Sequence, residues 1–279
     1  MEIILSRKSL SETLDSLRQQ SFKIAFVPTM GALHRGHLHL LEQAKSENDI
    51  VVCSIFVNPV QFNNTSDLER YPRDLEKDIA MIENICDVLF VPSVEEMYPE
   101  PPKEKYDFGT LETVMEGEFR PGHFNGVAVV VKRLFDLVNP NNAYFGKKDF
   151  QQLAIIRKLV EDYRLDIKIQ AVETVREDDG LAMSSRNKLL SLEAREKAPF
   201  IRKILSEAKT LIKDKNPQEL SLWIKNKFNE NKAFTLEYIQ LVDAHTLKEI
   251  NNYNEAVNIV ACIAVWLDNV RLIDNITIK

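Results

Sequence analysis

Two imidazoles, His34 and His37, bracket Gly36 and follow Gly31 in the run Phe26-Val27-Pro28-Thr29-Met30-Gly31-Ala32-Leu33-His34-Arg35-Gly36-His37. Imidazoles donate N–H groups to anions, and two of them three residues apart on a helix face the same side. Before them, Lys23-Ile24-Ala25-Phe26-Val27 is a short apolar run of strand type. After them, Leu38, Leu40, Leu41 and Ala44 recur at helical spacing. A helix therefore opens near Gly36, with first amides that lack intrahelical partners and favour an anion. Gly31 and Gly36 remove the Cβ atoms that would keep a phosphate off the backbone. The pattern outlines a nucleotide phosphate site. It is not a Walker-type P-loop, because His37-Leu38 stands where Lys-[Ser/Thr] is needed. A zinc site built on His34, His37 and His39 lacks a Cys or an acidic residue at ligand spacing. The plainest alternative is a helix start with incidental histidines, against which the joint pattern of strand, glycines and histidines counts.

The elements that must position these residues alternate. Strands are expected at 23–27, 50–57, 87–91, 142–145 and 167–173, and helices near 37–48, 72–85, 126–138 and 149–162. Ser9 with Glu12 reads as a capping box for a first helix through about Gln19. Alternation of this kind implies an α/β fold, a doubly wound parallel sheet with ligands outside the carboxyl ends of its strands. After Arg186 the pattern changes. Ser191 caps a helix running to about Lys213, Pro217 suits the first turn of another, and strands follow at 236–242, 257–267 and 270–278, the last two joined by a tight turn at Asp268-Asn269. Two domains are expected, 1–174 with the Rossmann-like sheet and 175–279 as a smaller α+β lid domain. The Pro-rich run from Tyr98 to Lys103 reads as a surface loop.

Composition narrows the function classes. A chain of 279 residues, 44% hydrophobic and 28% charged, buries a large core. Its net charge of −6 argues against a nonspecific grip on nucleic acid. Cys53, Cys86 and Cys262 are odd in number and lie in apolar runs, as small core residues of a reducing compartment. The N-terminus has three consecutive apolar residues, too few for a signal peptide, and no segment reaches membrane-spanning length. A cytoplasmic protein with no membrane partner is expected.

Further runs extend the first motif: Phe56-Val57-Asn58-Pro59-x-Gln61-Phe62, Tyr71-Pro72-Arg73, Arg120-Pro121-Gly122-His123-Phe124, Phe145-Gly146-x-Lys148-Asp149-x-Gln151-Gln152, and Asp179-Gly180-Leu181-Ala182-Met183-Ser184-Ser185-Arg186-Asn187. His-x-Gly-His alone resembles the nucleotidyltransferase superfamily of class I aminoacyl-tRNA synthetases and adenylyltransferases. The whole set, in order from 26 to 187, resembles the pantoate–β-alanine ligase family. That resemblance implies two steps: pantoate carboxylate attacks the α-phosphate of ATP, then the amine of β-alanine displaces AMP from the pantoyl adenylate, pyrophosphate having left. Alternatives are an adenylyltransferase that stops at AMP transfer and a nucleotide-binding module without turnover.

The resemblance also implies roles. His37 is the catalytic proton donor, with His34 and Lys148 beside it. ATP is held by Met30, Gly31, Ala32, Leu33, His34, Arg35, Gly36 and His37, by Gly146, Lys147, Lys148 and Asp149, by the backbone of Val175, and by Met183, Ser184, Ser185 and Arg186. Lys148 meets phosphate and Asp149 a ribose hydroxyl. Ser184, Ser185 and Arg186 replace the lysines of the class I mobile loop and suit departing phosphates. Gln61, Gln152 and Asn58 bind pantoate and β-alanine. Amides hold a hydroxy acid without locking its carboxylate in an inert ion pair. Arg120 and His123 lie in a loop suited to closing over the site. Mg²⁺ is implied with ATP, Asp78 being an outer-shell partner and no ligand being assigned. A homodimer is implied as well.

Overall fold

The computed structural model describes residues 1–279, which group into two compact units. The first holds Met1–Phe108, Arg120–Lys147 and Gln152–Glu173. The second holds Gly109–Phe119, Lys148–Gln151 and Thr174–Lys279. Sequence pattern alone marks one boundary, at 174/175. The grouping also carries two short earlier stretches, 109–119 and 148–151, into the second unit.

In chain order the first unit runs through β1 (Glu2–Ile4), α1 (Arg7–Gln19), β2 (Ile24–Thr29), α2 (Arg35–Glu47), β3 (Ile50–Ile55), α3 (Thr65–Arg70), α4 (Leu75–Ile82), β4 (Val88–Phe90) and α5 (Val94–Met97). After α6 (Glu116–Phe119) of the second unit come α7 (His123–Val138), β5 (Asn142–Gly146), α8 (Phe150–Asp162) and β6 (Lys168–Val172). The six strands form one parallel sheet in the order β1-β4-β3-β2-β5-β6. β2 and β3 are apolar on both faces, as strands covered by helices on both sides must be. Ala25, Val27, Val51, Cys53 and Leu89 pack with Leu33, Leu41 and Ile82 in a core cluster. β1 was not foreseen, because three residues are too few to show a period. The first helix begins earlier than Ser9 suggests. Ser6 caps it, its Oγ accepting the Ser9 amide at 3.2 Å, and Ser9 lies inside the helix.

Strand order fixes where a ligand belongs. From β2 the chain winds through β3 to β4 on one side, and then β5 and β6 build the other. The order reverses between β2 and β5, and crevices outside the carboxyl ends of strands at such reversals bind ligands. The loop with His34 follows β2, and Gly146 ends β5. Both motifs thus flank the switch point.

The second unit contains α9 (Leu192–Lys197), α10 (Phe200–Thr210), α11 (Pro217–Glu230) and an antiparallel sheet of β7 (Phe234–Asp243), β8 (Ile259–Leu267) and β9 (Val270–Thr277). The single helix expected from Ser191 to Lys213 is broken at Pro199, which has no N–H to continue it. Asp268 and Asn269 both have φ near +55°, at +52° and +58°, the geometry of a two-residue hairpin turn. Ile201, Leu205, Ile224, Phe228, Ile239 and Ile263 share its core.

Side-chain bonds explain the earlier stretches. Glu116 accepts both guanidinium nitrogens of Arg271 at 2.7 and 2.8 Å and the Tyr238 hydroxyl at 2.7 Å. Glu237 accepts Arg271 Nε at 2.8 Å and Trp266 Nε1 at 2.8 Å. Removing one partner of a buried pair of this kind costs about 3–5 kcal/mol. Gln151 donates to the Leu111 and Val114 carbonyls at 2.8 Å each and accepts the Glu116 amide at 2.9 Å.

Candidate active site

The loop after β2 is held from below. Thr29, the last residue of β2, donates through Oγ1 to the Ser54 carbonyl at 2.8 Å and accepts the Gly31 amide at 3.2 Å. Gly31 has φ +77°, and a Cβ there would lie 3.0 Å from both Asp78 Oδ2 and Ile55 Cγ2. Glycine is required by conformation and by space together. Asp78 on α4, 2% exposed, accepts the Ala32 amide at 2.8 Å and the Leu33 amide at 2.7 Å. The same carboxylate was expected as an outer-shell magnesium partner; here its observed task is to hold the loop. The carboxylate oxygens take loop amides that no strand or helix would satisfy.

The two histidines organise each other. His34, with extended φ of −149°, caps α2, and its Nδ1 accepts the Gly36 amide at 3.1 Å. His37 Nδ1 accepts the His34 amide at 3.3 Å. An accepting Nδ1 places the proton of a neutral imidazole on Nε2. Both rings, their centroids 4.1 Å apart, therefore carry Nε2–H donors beside the amino end of α2. Hydrogen-bond donors, helix amides and the helix dipole all favour negative charge there.

Gln61 follows β3 in the short turn Pro59–Gln61 and is 8% exposed. Its Oε1 accepts Asn58 Nδ2 at 3.1 Å, its Nε2 lies 3.1 Å from Met30 Sδ, and its carbonyl meets His123 Nδ1 at 2.8 Å. A carbonyl only accepts, so His123 is the Nδ1–H tautomer, and its Nε2 takes Arg120 Nη1 at 3.1 Å. His123 is the buried first residue of α7, not part of a loop closing over the site, and it fixes the turn that bears Gln61.

Asn58 was expected to touch substrate. It is 1% exposed and fully engaged: Nδ2 donates to Gln61 and to the Gly126 carbonyl at 3.1 Å, while Oδ1 accepts the Val60 amide at 3.2 Å and the Tyr98 hydroxyl at 2.8 Å. Burial holds the Tyr98 phenol well above its ordinary range, so it stays the donor. Asn58 orients Gln61. Gly126 on α7 lets the turn approach, since a Cβ would fall 2.5 Å from the Val60 carbonyl oxygen and 2.7 Å from Gln61 Cα. A carbonyl-to-helix contact between distant segments left no local signal, so sequence reading missed Gly126, Thr29 and Tyr98.

The remaining candidates follow β5 and β6. Gly146 ends β5, with open space where its Cβ would be, and the Lys147 amide donates to the Val172 carbonyl at 2.8 Å. Gln152 belongs to the first unit in the first turn of α8, partly buried. Lys148 and Asp149 belong to the second unit, their side chains 3.3 Å apart. Also in the second unit, the Met183 amide donates to the Val175 carbonyl at 3.0 Å, and Arg176 bridges Ala182 across the turn at Gly180, φ +91°. This hairpin brings Val175 beside Met183, the residue before Ser184 and Ser185. Ser184 accepts the Arg186 amide at 3.3 Å and caps a short 3-10 turn. A cavity of about 400 Å³ in the first unit is lined by Met30, Gly31, Ala32, Phe56, Arg73 and Asp78 among others, and His34, His37 and Gln61 do not line it.

A parallel sheet whose order reverses beside a glycine loop, with two imidazole donors at a helix amino end, defines a nucleotide-binding α/β protein. The family model for pantoate-beta-alanine ligase matches residues 2–277, and the chain belongs to that family. It is similar to the pantothenate synthetase of Bacteroides fragilis, 46% identical with 100% of this chain and 99% of the relative covered. Among solved structures, a pantothenate synthetase from Thermus thermophilus matches with a TM-score of 0.94 at 41% identity, covering 100% of both chains. A pantoate-beta-alanine ligase from Francisella tularensis, complexed with beta-gamma ATP and beta-alanine, matches with a TM-score of 0.84 at 38% identity, covering 100% of this chain and 98% of that one.

Proposed function

We propose that this chain condenses pantoate with β-alanine in two ATP-driven steps. A pantoate carboxylate oxygen attacks the α-phosphorus and pyrophosphate leaves. The β-alanine nitrogen then attacks the acyl carbon, AMP leaves, and the amine sheds its proton. The observation that carries the reading is the pair of Nε2–H donors of His34 and His37 at the amino end of α2. Neither step needs a protein nucleophile. Both need charge on phosphate oxygens stabilised and two reactants aligned.

In this reading His37 Nε2–H donates to an α-phosphate oxygen as negative charge grows there, with His34 and the amides of residues 30–37 beside it. Tautomers fixed by backbone amides need no reorganisation at the moment of reaction. Gln61, turned by Asn58 and His123, meets pantoate and then β-alanine, and Gln152 meets pantoate. Lys148 pairs with phosphate, Asp149 with ribose, Val175 with adenine, and Ser184, Ser185 and Arg186 with the phosphates that depart. Asp78 is committed to loop amides, and no three His, Cys, Asp or Glu side chains gather to hold a metal ion. Mg²⁺ bound with ATP would supply charge neutralisation on the triphosphate, and no residue of this chain is assigned to hold it. We also propose a cytoplasmic homodimer. No helix is long and apolar enough to cross a membrane.

The test is an omission assay. Protein with ATP, Mg²⁺, pantoate and β-alanine yields AMP, pyrophosphate and pantothenate in equal amounts. Leaving out either acid or amine abolishes the amide product. A stable adenylylated product that β-alanine fails to discharge would instead indicate an adenylyltransferase.

A further inference from the structure

We propose that Asn275, on the last strand, is a positioning residue for Lys148, while its neighbour Asp274 anchors the side chain of Arg176, the residue after Val175. The inference rests on the nucleotide roles given above to Lys148 and Val175. Asn275 Nδ2 donates to the Lys148 carbonyl at 3.0 Å. Asp274, 4% exposed, accepts Arg176 Nη1 at 2.7 Å and Nη2 at 2.8 Å, a bidentate pair one residue beyond Val175. All of these residues belong to the second unit. Neighbouring residues of a strand project to opposite faces. One dipeptide of β9 thereby reaches two segments that are distant in sequence.

Lys148 has particular need of such a bond. It lies between the end of β5 at Gly146 and the start of α8 at Phe150, outside both elements. Its peptide sits in the turn that joins them, and the Asn275 bond adds to what sets its direction. A rotation of some tens of degrees at its Cα swings an ammonium on a four-carbon stem by more than an ångström. Misplacement by about 1 Å in an active site can cost on the order of 10²-fold. Asn275 acts on the carbonyl and not on the ammonium, which lies 3.3 Å from Asp149 Oδ1.

The test is a double-mutant cycle read in steady-state kinetics with Asn275→Ala, Lys148→Ala and the pair. Asn275→Ala is expected to raise KM for ATP about 5- to 10-fold, as loss of one orienting hydrogen bond allows, with KM for pantoate changed less than about twofold. Added to Lys148→Ala, it should change little more. Equal rises for ATP and pantoate, or full additivity in the cycle, would overturn the positioning role and leave the role of Lys148 standing. If Lys148→Ala itself leaves KM for ATP unchanged, the nucleotide reading of Lys148 fails first. Should Asn275→Ala not fold, Asn275→Ser, polar but too short to reach the carbonyl, carries the same test.

Discussion

Asp78→Asn tests whether the loop after β2, proposed to hold phosphate, is held by this carboxylate. The carboxylate accepts two amides, from Ala32 at 2.8 Å and Leu33 at 2.7 Å, while almost fully buried. Asparagine has nearly the same shape but keeps one acceptor oxygen, so its NH₂ group faces the second amide donor against donor. A bond to a charged acceptor contributes about 1.5–3 kcal/mol, and a buried amide left unsatisfied costs about 1–3 kcal/mol. Together the change costs the loop on the order of 3 kcal/mol, roughly two factors of ten in its opening equilibrium. Backbone hydrogen exchange at Ala32 and Leu33 should become about 100-fold faster, and calorimetric ATP affinity should fall at least about tenfold. A folded variant with both unchanged refutes the claim that this carboxylate builds the loop.

His37→Ala should lower kcat by about 10² or more, the usual loss for a preorganised transition-state donor, with an unchanged melting temperature. An unaltered rate removes His37 from the chemistry. In Gly126→Ala, the added methyl 2.5 Å from the Val60 carbonyl oxygen displaces the Gln61 turn, so KM for pantoate should rise at least about tenfold while ATP affinity stays within twofold. Arg186→Ala should slow pyrophosphate release yet leave the attack of β-alanine on supplied pantoyl adenylate near normal, and an equal defect in both would give Arg186 a different task. Burial pushes Cys86 up to about 12 and raises Cys53 and Cys262 as well. The folded protein thus keeps protons that an unfolded chain releases above about pH 8.5, so stability should decline as pH rises from there. All three thiols should be silent to Ellman's reagent at pH 8 until denaturant is added, and prompt labelling of the native protein contradicts their burial.

Residues whose meaning is local were legible in the sequence. Gly31, His34, Gly36 and His37 sit within one strand-to-helix turn, and the alternation around them gives the parallel sheet. Short or broken elements were not. β1 has too few residues for a period, and Pro199 divides a helix whose apolar spacing runs on. The packing tasks of Asp78 and Asn58 are not legible, because a polar side chain's task depends on which groups face it. Asp78 faces two amides from 45 and 46 residues away, and Asn58 faces a carbonyl 68 residues away. Asn275 sat in an unremarkable strand, and its partner lies 127 residues earlier.

The interleaving of the second unit bears on how the chain matures during synthesis. Its early stretches leave the ribosome long before their partners: Glu116 waits 155 residues for Arg271, and Lys148 waits 127 for Asn275. Contacts of such sequence separation are slow to close and exert no hold until the last strand exists. The first unit's sheet, finished with β6 at Val172, can consolidate while the chain is still growing, whereas the second must await β9. Loss of the final ten residues therefore removes more than an edge strand. It strips Arg176 of its bidentate Asp274 partner and Glu116 of the Arg271 guanidinium, so a truncated chain should lose stability and be cleared by quality-control proteolysis.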